Sequence, residues 1–142
     1  MNAAKNADGK PVLSKSFSDN DLTLLSQSIL QQCGALDGLR EGLVSNPAAC
    51  HFNLRPLQCK GDKNDQCFSS GQISAMESSI AGPKDSRGNK LYSGWAWDPA
   101  IASEGWRSWK LSTSLTDTPN PKKAGSSTNT IRYVFVTPLT WS

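Results

Sequence analysis

Two stretches of the chain carry apolar residues at the spacing of an amphipathic helix. In the first stretch the apolar positions recur at i, i+3 and i+7, namely Leu22, Leu25 and Ile29. Ser18 precedes them, and its hydroxyl is suited to accept a hydrogen bond from a free backbone N–H at a helix start. Gly34 follows, and glycine suits the exit of the chain from a helix. The pattern predicts a helix over about 20–33 with one buried face.

The second helical stretch opens at Ser69, with Gln72 in the reciprocal capping position. Its apolar stripe consists of Ile73, Met76 and Ile80. Gly82 and Pro83 predict its end, because glycine accepts a left-handed exit and proline does not continue a helix.

The rest of the chain predicts few long elements. Residues 1–17 are expected to form an extended lead-in, and residues 112–129, rich in Ser, Thr, Pro and Lys, a flexible loop. The end, IRYVFVTPLTW, alternates and carries β-branched and aromatic residues, which predicts a short strand before Pro138. We therefore expect one small, irregular α+β domain over residues 1–142, with two short helices and short strands.

Composition and charge narrow the classes of partner. The chain has 142 residues, of which 37% are hydrophobic and 19% charged, enough for one packed domain with many turns. The net charge is +3, and basic residues are scattered apart from Lys122-Lys123, so we expect no nucleic-acid partner. No apolar run approaches the roughly 18 residues that span a bilayer. We expect no membrane partner, and the polar N-terminal residues show no signal peptide.

The four cysteines, at positions 33, 50, 59 and 67, form no C-x-x-C pair, and His51 is the single histidine. A zinc site typically requires closer cysteine spacing or more histidines. An even number of cysteines at short intervals in loop-rich surroundings favours two disulfides, for which three pairings are possible. Two disulfides imply an oxidising compartment. Four reduced, buried cysteines in a cytosolic protein are the alternative.

The candidate nucleophiles have simpler explanations. The run Cys67-Phe68-Ser69-Ser70-Gly71 superficially matches a nucleophile turn, but no β-like run precedes it, and helix capping explains Ser69. Cys50 and His51 are adjacent, so in an extended segment their side chains point apart and seldom form a dyad. We expect His51 to be a half-buried structural residue. With no second histidine, a complete Ser-His-Asp triad is hard to assemble within this chain.

The stretch CGALDGLREGLV contains two acid–glycine pairs, Asp37-Gly38 and Glu41-Gly42. Hard cations such as calcium take oxygen ligands from carboxylates and backbone carbonyls. Asp37 and Glu41 can supply carboxylates, while Leu39 and Leu43, at alternating positions, can turn their carbonyls the same way. The glycines permit the bends. The pattern is compatible with a cation site, but it also occurs in ordinary surface loops.

Several motifs follow one another along the chain: C-x-A-L-D-G-L-x-E-G-L-V, A-C-H-F, L-Q-C-K-G, C-F-S-S-G-Q, A-G-P, L-Y and G-W-R-S-W. In these motifs and their order, the chain resembles the tannase and feruloyl esterase family from about Asn6 to the C-terminus. The resemblance implies the lid that is inserted into the catalytic domain of these secreted α/β-hydrolases, which split esters of aromatic acids. It also implies the disulfides Cys33–Cys50 and Cys59–Cys67.

The resemblance implies a calcium site in the acid–glycine loop. The ligands of the family's lid fall at the positions of Gly34, Asp37, Leu39, Glu41 and Leu43. Three of them are normally Asp side chains, and two are backbone carbonyls. Gly34 replaces one Asp and has no side-chain ligand, and Glu41 replaces another and has a longer reach. We therefore expect calcium to bind more weakly than in the family pattern, with water filling the gap.

The resemblance also implies two aromatic residues near the substrate. Trp109, in G-W-R-S-W, matches a lid tryptophan that faces the aromatic part of the substrate. Phe135, in F-V-T-P, aligns with another lid aromatic near that pocket. Core packing is the alternative for both residues. Lys122 or Lys123 could reach a substrate carboxylate.

The family's nucleophilic Ser, its Asp and His and its oxyanion hole lie outside the lid and have no counterpart in this chain. We therefore expect the lid portion of a secreted serine carboxylic ester hydrolase, whose α/β-hydrolase catalytic domain is a partner missing from this chain. The lid would shape the pocket for an aromatic ester substrate. The alternative is a stand-alone, non-enzymatic module, held by disulfides, that binds aromatic or sugar ligands through its tryptophans.

Overall fold

The computed structural model describes residues 5–9 and 12–112. The chain divides into two compact units. One, the disulfide unit, consists of Met1–Asn2 and Phe17–Ala102, and the other, the terminal unit, consists of Ala3–Ser16 and Ser103–Ser142. All four cysteines lie in the disulfide unit.

The first predicted helix is confirmed: α1 spans Asp19–Cys33. Ser18 Oγ accepts the N–H of Asp21 at 3.1 Å, and Asp21 Oδ2 accepts the N–H of Ser18 at 2.9 Å. This reciprocal pair is the capping box that the sequence indicates. At the other end, the Gly34 N–H donates to the Leu30 carbonyl at 2.8 Å. The predicted apolar face is buried, and it consists of Leu22, Leu25 and Ile29.

The second predicted helix is also confirmed: α2 spans Ser70–Ala81. Ser69 and Gln72 form its capping box, with distances of 3.2 Å to the Ser69 hydroxyl and 3.0 Å to the Gln72 carbonyl. Gly82 ends the helix with a φ of 78°, a conformation that glycine adopts without steric cost. Ile73 and Met76 are buried as predicted, whereas Ile80, in the last turn, is half-buried.

One buried carboxylate connects the N-termini of α1 and α2. Asp21 Oδ2, which caps α1, also accepts a hydrogen bond from Gln72 Nε2 at 2.8 Å. Its other oxygen, Oδ1, forms an ion pair with Lys63 Nζ at 2.8 Å. Asp21 is only 3% exposed. Because both oxygens have partners, its burial does not leave an unsatisfied charge.

Two disulfides hold the loops of the disulfide unit. They join Cys33 to Cys50 and Cys59 to Cys67, so the pairing implied by the family resemblance is confirmed. The first ties the C-terminus of α1 to the chain that follows the acid–glycine loop. The second closes a short loop that carries Lys63 and therefore supports the ion pair with Asp21.

The core of the disulfide unit lies around α1. The 3₁₀ turn Pro99–Ala102 packs against this helix, and Ser26 Oγ donates to the Pro99 carbonyl at 2.8 Å. The rings of Phe17 and Phe68 pack at a centroid distance of 6.5 Å. Burial of each large apolar side chain contributes roughly 1.5–3 kcal/mol. The buried apolar residues of this unit, apart from cysteines, are Phe17, Leu22, Leu25, Ile29, Leu54, Phe68, Ile73, Met76 and Ile101.

The prediction of two helices is wrong in number, because a third, α3, spans Glu104–Lys110 in the terminal unit. Ser103 Oγ accepts the Trp106 N–H at 3.2 Å and caps it. A helix of seven residues is too short to persist by propensity alone, so contacts within the unit decide whether it forms. One such contact is the hydrogen bond from Arg107 Nη2 to the Ser14 carbonyl at 3.0 Å.

The predicted lead-in and strands also differ from the structure. Leu13–Lys15 form a 3₁₀ turn rather than an extended segment, and burial of Val12 and Ser14 explains why this part of the chain folds back. The predicted short strands are not found within the described ranges, where isolated bridges join Gln58 to Phe68 and Lys84 to Lys90. Tight turns and the short Cys59–Cys67 loop leave no room for longer ladders there. The predicted C-terminal strand and residues 113–129 of the predicted loop lie outside the described residues.

Candidate functional site

The acid–glycine loop leaves α1 through a series of exposed turns. Asp37 Oδ1 accepts the Leu39 N–H at 3.1 Å. That bond is the largest cause of a lowered pKa at Asp37, and a hydrogen bond from the Ser45 side chain is the second largest. The carboxylate is therefore charged at neutral pH. Gly38 and Gly42 have φ values of 91° and 73°, as the predicted bends require.

The oxygen donors of this loop are of the types that a hard cation takes. Asp37 and Glu41 carry carboxylates, Leu39 and Leu43 carry backbone carbonyls, and both leucines are exposed. In the part of the chain that the structure describes, no three His, Cys, Asp or Glu side chains gather into a metal-binding group. A cation in this loop would therefore depend on two carboxylates, backbone carbonyls and water.

Gly34 occupies the position where the family resemblance implies a side-chain ligand. It is buried at the end of α1, and a Cβ atom added there would lie 2.5 Å from the Leu30 carbonyl oxygen. A side chain at this position therefore needs a shift of the last turn of α1. The Asp that the family resemblance implies at position 34 would require this shift.

The tryptophan that the family resemblance places near the substrate is open to solvent. Trp109 lies on α3 and is 53% exposed, whereas Trp106, three residues earlier, is half-buried. The Arg107–Ser14 hydrogen bond fixes the helix within the terminal unit. Trp109 is thus available to contact a ligand and is not a buried core residue. The other proposed substrate residues, Phe135, Lys122 and Lys123, lie outside the described residues.

The groups excluded as nucleophiles have structural roles. Ser69 caps α2, and Cys50 is bonded to Cys33, so it has no free thiolate. The prediction that His51 is half-buried is wrong, because its side chain is exposed. Residues alternate along this segment, with Phe52 and Leu54 directed inward, and the alternation turns His51 outward.

The most exposed aromatic segment of the described chain lies in the tryptophan-rich region, to which the sequence assigns a ligand only in the alternative of a stand-alone module. Leu91, Tyr92 and Trp95 are 57%, 73% and 61% exposed. In contrast, Trp97 packs edge-on against Phe52 at a ring distance of 5.0 Å. The concentration of tryptophans in this region was visible in the sequence. Which of them point outward was not, because exposure depends on the packing of the neighbouring loops.

Comparisons with known proteins identify the family. A family model described as tannase and feruloyl esterase matches residues 3–137. The chain is 40% identical over 151 residues to the mono(2-hydroxyethyl) terephthalate hydrolase of Piscinibacter sakaiensis, in an alignment that covers 93% of this chain and 25% of the hydrolase. It is 31% identical over 74 residues to a probable feruloyl esterase B of Emericella nidulans, covering 51% of this chain and 14% of that protein. The crystal structure of feruloyl esterase B from Aspergillus oryzae superposes on 88% of this chain and 23% of its own, with a TM-score of 0.66 and 20% identity.

The chain therefore belongs to the tannase and feruloyl esterase family, as its motifs indicate. The structural match shows in addition that its fold recurs inside a feruloyl esterase. The chain spans about a quarter of the length of the hydrolase and of the superposed esterase.

Proposed function

We propose that this chain is the lid portion of a carboxylic ester hydrolase that acts on esters of aromatic acids. The observation that carries the proposal is the extent of the family match. It covers residues 3–137 of this chain but only about a quarter of the relatives' length. A segment of this size fits a subdomain that shapes a substrate pocket, with the reacting groups supplied by the α/β-hydrolase catalytic domain.

The proposed role of Trp109 is to form an aromatic wall of the acyl pocket. Its exposure on a short, anchored helix supports this role, since the indole is presented to solvent while Arg107 holds the helix in place. An aromatic wall favours a planar aromatic acyl group over an aliphatic one through stacking and apolar burial. We propose that Phe135 contributes to the same pocket, from a position outside the described residues.

The proposal is tested with a chimera of the Piscinibacter sakaiensis hydrolase in which this chain replaces the matched region. We expect the chimera to hydrolyse aromatic esters such as methyl ferulate or mono(2-hydroxyethyl) terephthalate. Trp109→Ala should lower kcat/KM for the aromatic ester about three- to tenfold, the equivalent of one stacking contact. The rate with p-nitrophenyl acetate, which has no aromatic acyl group, should change much less and serves as the matched control.

An activity assay on the isolated chain distinguishes a lid from an enzyme that is active on its own. We expect the isolated chain to show no turnover of methyl ferulate, methyl gallate or p-nitrophenyl esters. Hydrolysis by the isolated chain that disappears in Ser69→Ala would contradict the lid assignment.

We also propose that calcium binds the acid–glycine loop through the carboxylates of Asp37 and Glu41 and the carbonyls of Leu39 and Leu43. The lowered pKa of Asp37 and the positive φ of the two loop glycines support this arrangement. When bound, calcium would cross-link the loop next to the Cys33–Cys50 disulfide. Titration calorimetry that gives no heat at millimolar calcium, together with an unchanged melting temperature, would reject the site.

Secretion of the parent enzyme is a further part of the proposal. Two disulfides persist in an oxidising compartment and are rare in the cytosol, which supports an extracellular location. Among the described residues, no helix combines the length and apolar character needed to cross a membrane.

A further inference from the structure

Three large apolar side chains lie exposed within five consecutive residues of the disulfide unit. Leu91, Tyr92 and Trp95, called the 91–95 face, each expose more than half of their surface. Single exposed apolar residues are ordinary on proteins, whereas a contiguous group marks an interaction site. Tyrosine and tryptophan are also the residue types that dominate the binding energy of protein interfaces.

The backbone beneath the 91–95 face forms hydrogen bonds to the last turn of α2 and to the segment that follows it. The Leu91 N–H donates to the Pro83 carbonyl at 3.0 Å, and the Trp95 N–H donates to the Ile80 carbonyl at 2.8 Å. Gly94 lies so close to α2 that an added Cβ would be 2.6 Å from the Ile80 carbonyl oxygen. The main chain at both ends of the face is therefore held in place, which reduces the entropy lost on binding a partner.

A basic rim borders this face. The turn before it exposes Lys84, Arg87 and Lys90. Its one acid, Asp85, is occupied within the turn, where it accepts hydrogen bonds from the Arg87 N–H and from the backbone and side chain of Asn89. The apolar face with its basic rim calls for a partner surface that is apolar at the centre and acidic at its edge.

We propose that the 91–95 face is the surface on which this chain packs against the remaining three quarters of its esterase. This inference rests on the proposed function, since it takes the chain to be part of a longer hydrolase. The relatives supply the argument for the occupant. About three quarters of their length lies outside the matched region, so a large protein surface is available next to it. A second copy of the chain and a small aromatic or sugar ligand are the other occupants that the experiment separates.

The experiment compares one set of substitutions in the isolated chain and in the chimera with the Piscinibacter sakaiensis hydrolase. The test variant is Leu91→Ser/Tyr92→Ser/Trp95→Ser. The matched control is Leu36→Ser, which removes an exposed leucine from the acid–glycine loop without changing a proposed calcium ligand. A conservative variant, Leu91→Met/Tyr92→Phe/Trp95→Phe, keeps the face apolar and guards against a general loss of folding.

We expect the test variant to leave the melting temperature of the isolated chain within about 1 °C of the unsubstituted chain and to lower that of the chimera by about 3 °C or more. The control and conservative variants should leave the chimera close to its original melting temperature. Hydroxyl-radical labelling should modify Tyr92 and Trp95 readily in the isolated chain and several-fold less in the chimera.

Three outcomes overturn the proposal. The test variant could destabilise the isolated chain as much as the chimera, in which case the side chains pack within this chain. The isolated chain could sediment as a dimer that the test variant dissociates, which assigns the face to a second copy. Ferulic acid or cellohexaose could quench the fluorescence of the isolated chain in a manner lost in Trp95→Phe, which assigns the face to a small ligand. Ester hydrolysis is measured separately. A folded but inactive chimera would therefore reject the proposed function and leave the proposed interface uncontradicted.

Discussion

Asp37 and Asp85 occupy similar positions in two exposed turns of the disulfide unit. Each accepts backbone N–H hydrogen bonds two residues further along the chain. These bonds contribute to lowering the pKa of both carboxyls, with Leu39 N–H the largest cause at Asp37 and the Asn89 side chain the largest at Asp85. Because the folded pKa is depressed, the stabilisation is present at neutral pH and is lost as the pH falls below 3.8 through the lowered value.

Because the two residues are alike, Asp85 serves as a matched control for the proposed calcium ligand Asp37. Asp37→Asn should weaken calcium binding about tenfold or more, because an amide replaces one of two carboxylate ligands. Asp85→Asn removes the same charge from a comparable turn outside the proposed site and should leave calcium affinity unchanged. Titration calorimetry on the two variants and the unsubstituted chain measures the difference. Equal weakening in both variants would indicate a general charge effect rather than a site at Asp37.

At the scale of secondary structure, the two capping boxes are linked through a single pair of side chains. Asp21 and Gln72 each occupy the third position of a helix, and each caps its own helix start. The 2.8 Å bond between them joins the two starts, and Lys63 neutralises the buried carboxylate. Loss of either side chain therefore affects both helices.

A double-mutant cycle measures this link. Asp21→Ala should lower the free energy of unfolding by about 2–4 kcal/mol, because it removes a cap and leaves Gln72 and Lys63 without their acceptor. Gln72→Ala should cost about 1–2 kcal/mol, and the two losses should couple by about 0.5–1.5 kcal/mol in urea unfolding.

Glu77→Ala is the matched control for this cycle. It breaks the exposed ion pair with Arg55 and should cost no more than about 1 kcal/mol. Additive effects of Asp21→Ala and Gln72→Ala, within about 0.3–0.5 kcal/mol, would show that the two caps act independently.

At the scale of the whole molecule, two disulfides support a core built largely around one long helix. The Cys33–Cys50 bridge closes a separation of 17 residues, and the Cys59–Cys67 bridge closes one of 8. In the chain-entropy description these loops are worth about 3 and about 2.5 kcal/mol. The Cys33–Cys50 pair is also buried, so its replacement additionally disturbs packing. The Cys59–Cys67 pair is half-buried.

The two bridges should therefore differ when they are removed one at a time. Cys33→Ala/Cys50→Ala should lower the free energy of unfolding by about 3–5 kcal/mol, and Cys59→Ala/Cys67→Ala by about 2–3 kcal/mol. Urea unfolding of the oxidised variants measures both losses, and the unsubstituted chain under reducing conditions gives the combined effect. A larger loss from the Cys59–Cys67 pair would mean that the link from Lys63 to Asp21 outweighs loop closure and burial.

The parts of this protein that depend on near neighbours in the chain were determined by the sequence itself. The helical spacing of Leu22, Leu25 and Ile29 and the capping pairs at Ser18 and Ser69 located α1 and α2 to within a residue or two. Helix starts and amphipathic faces are readable in this way because their physical causes span only four to seven residues. The ordered motifs likewise identified the family and, through it, the disulfide pairing.

Only the tertiary structure decided the features that depend on contacts between distant segments. The short helix α3 forms with an anchor to Ser14, which lies 93 residues from Arg107. The same kind of contact makes Trp97 half-buried and leaves Trp95 exposed, although the two are two residues apart. It also placed Gln72 on Asp21, 51 residues away. Such pairings are set by how the loops and helices pack together, and no local pattern of residue types carries that information.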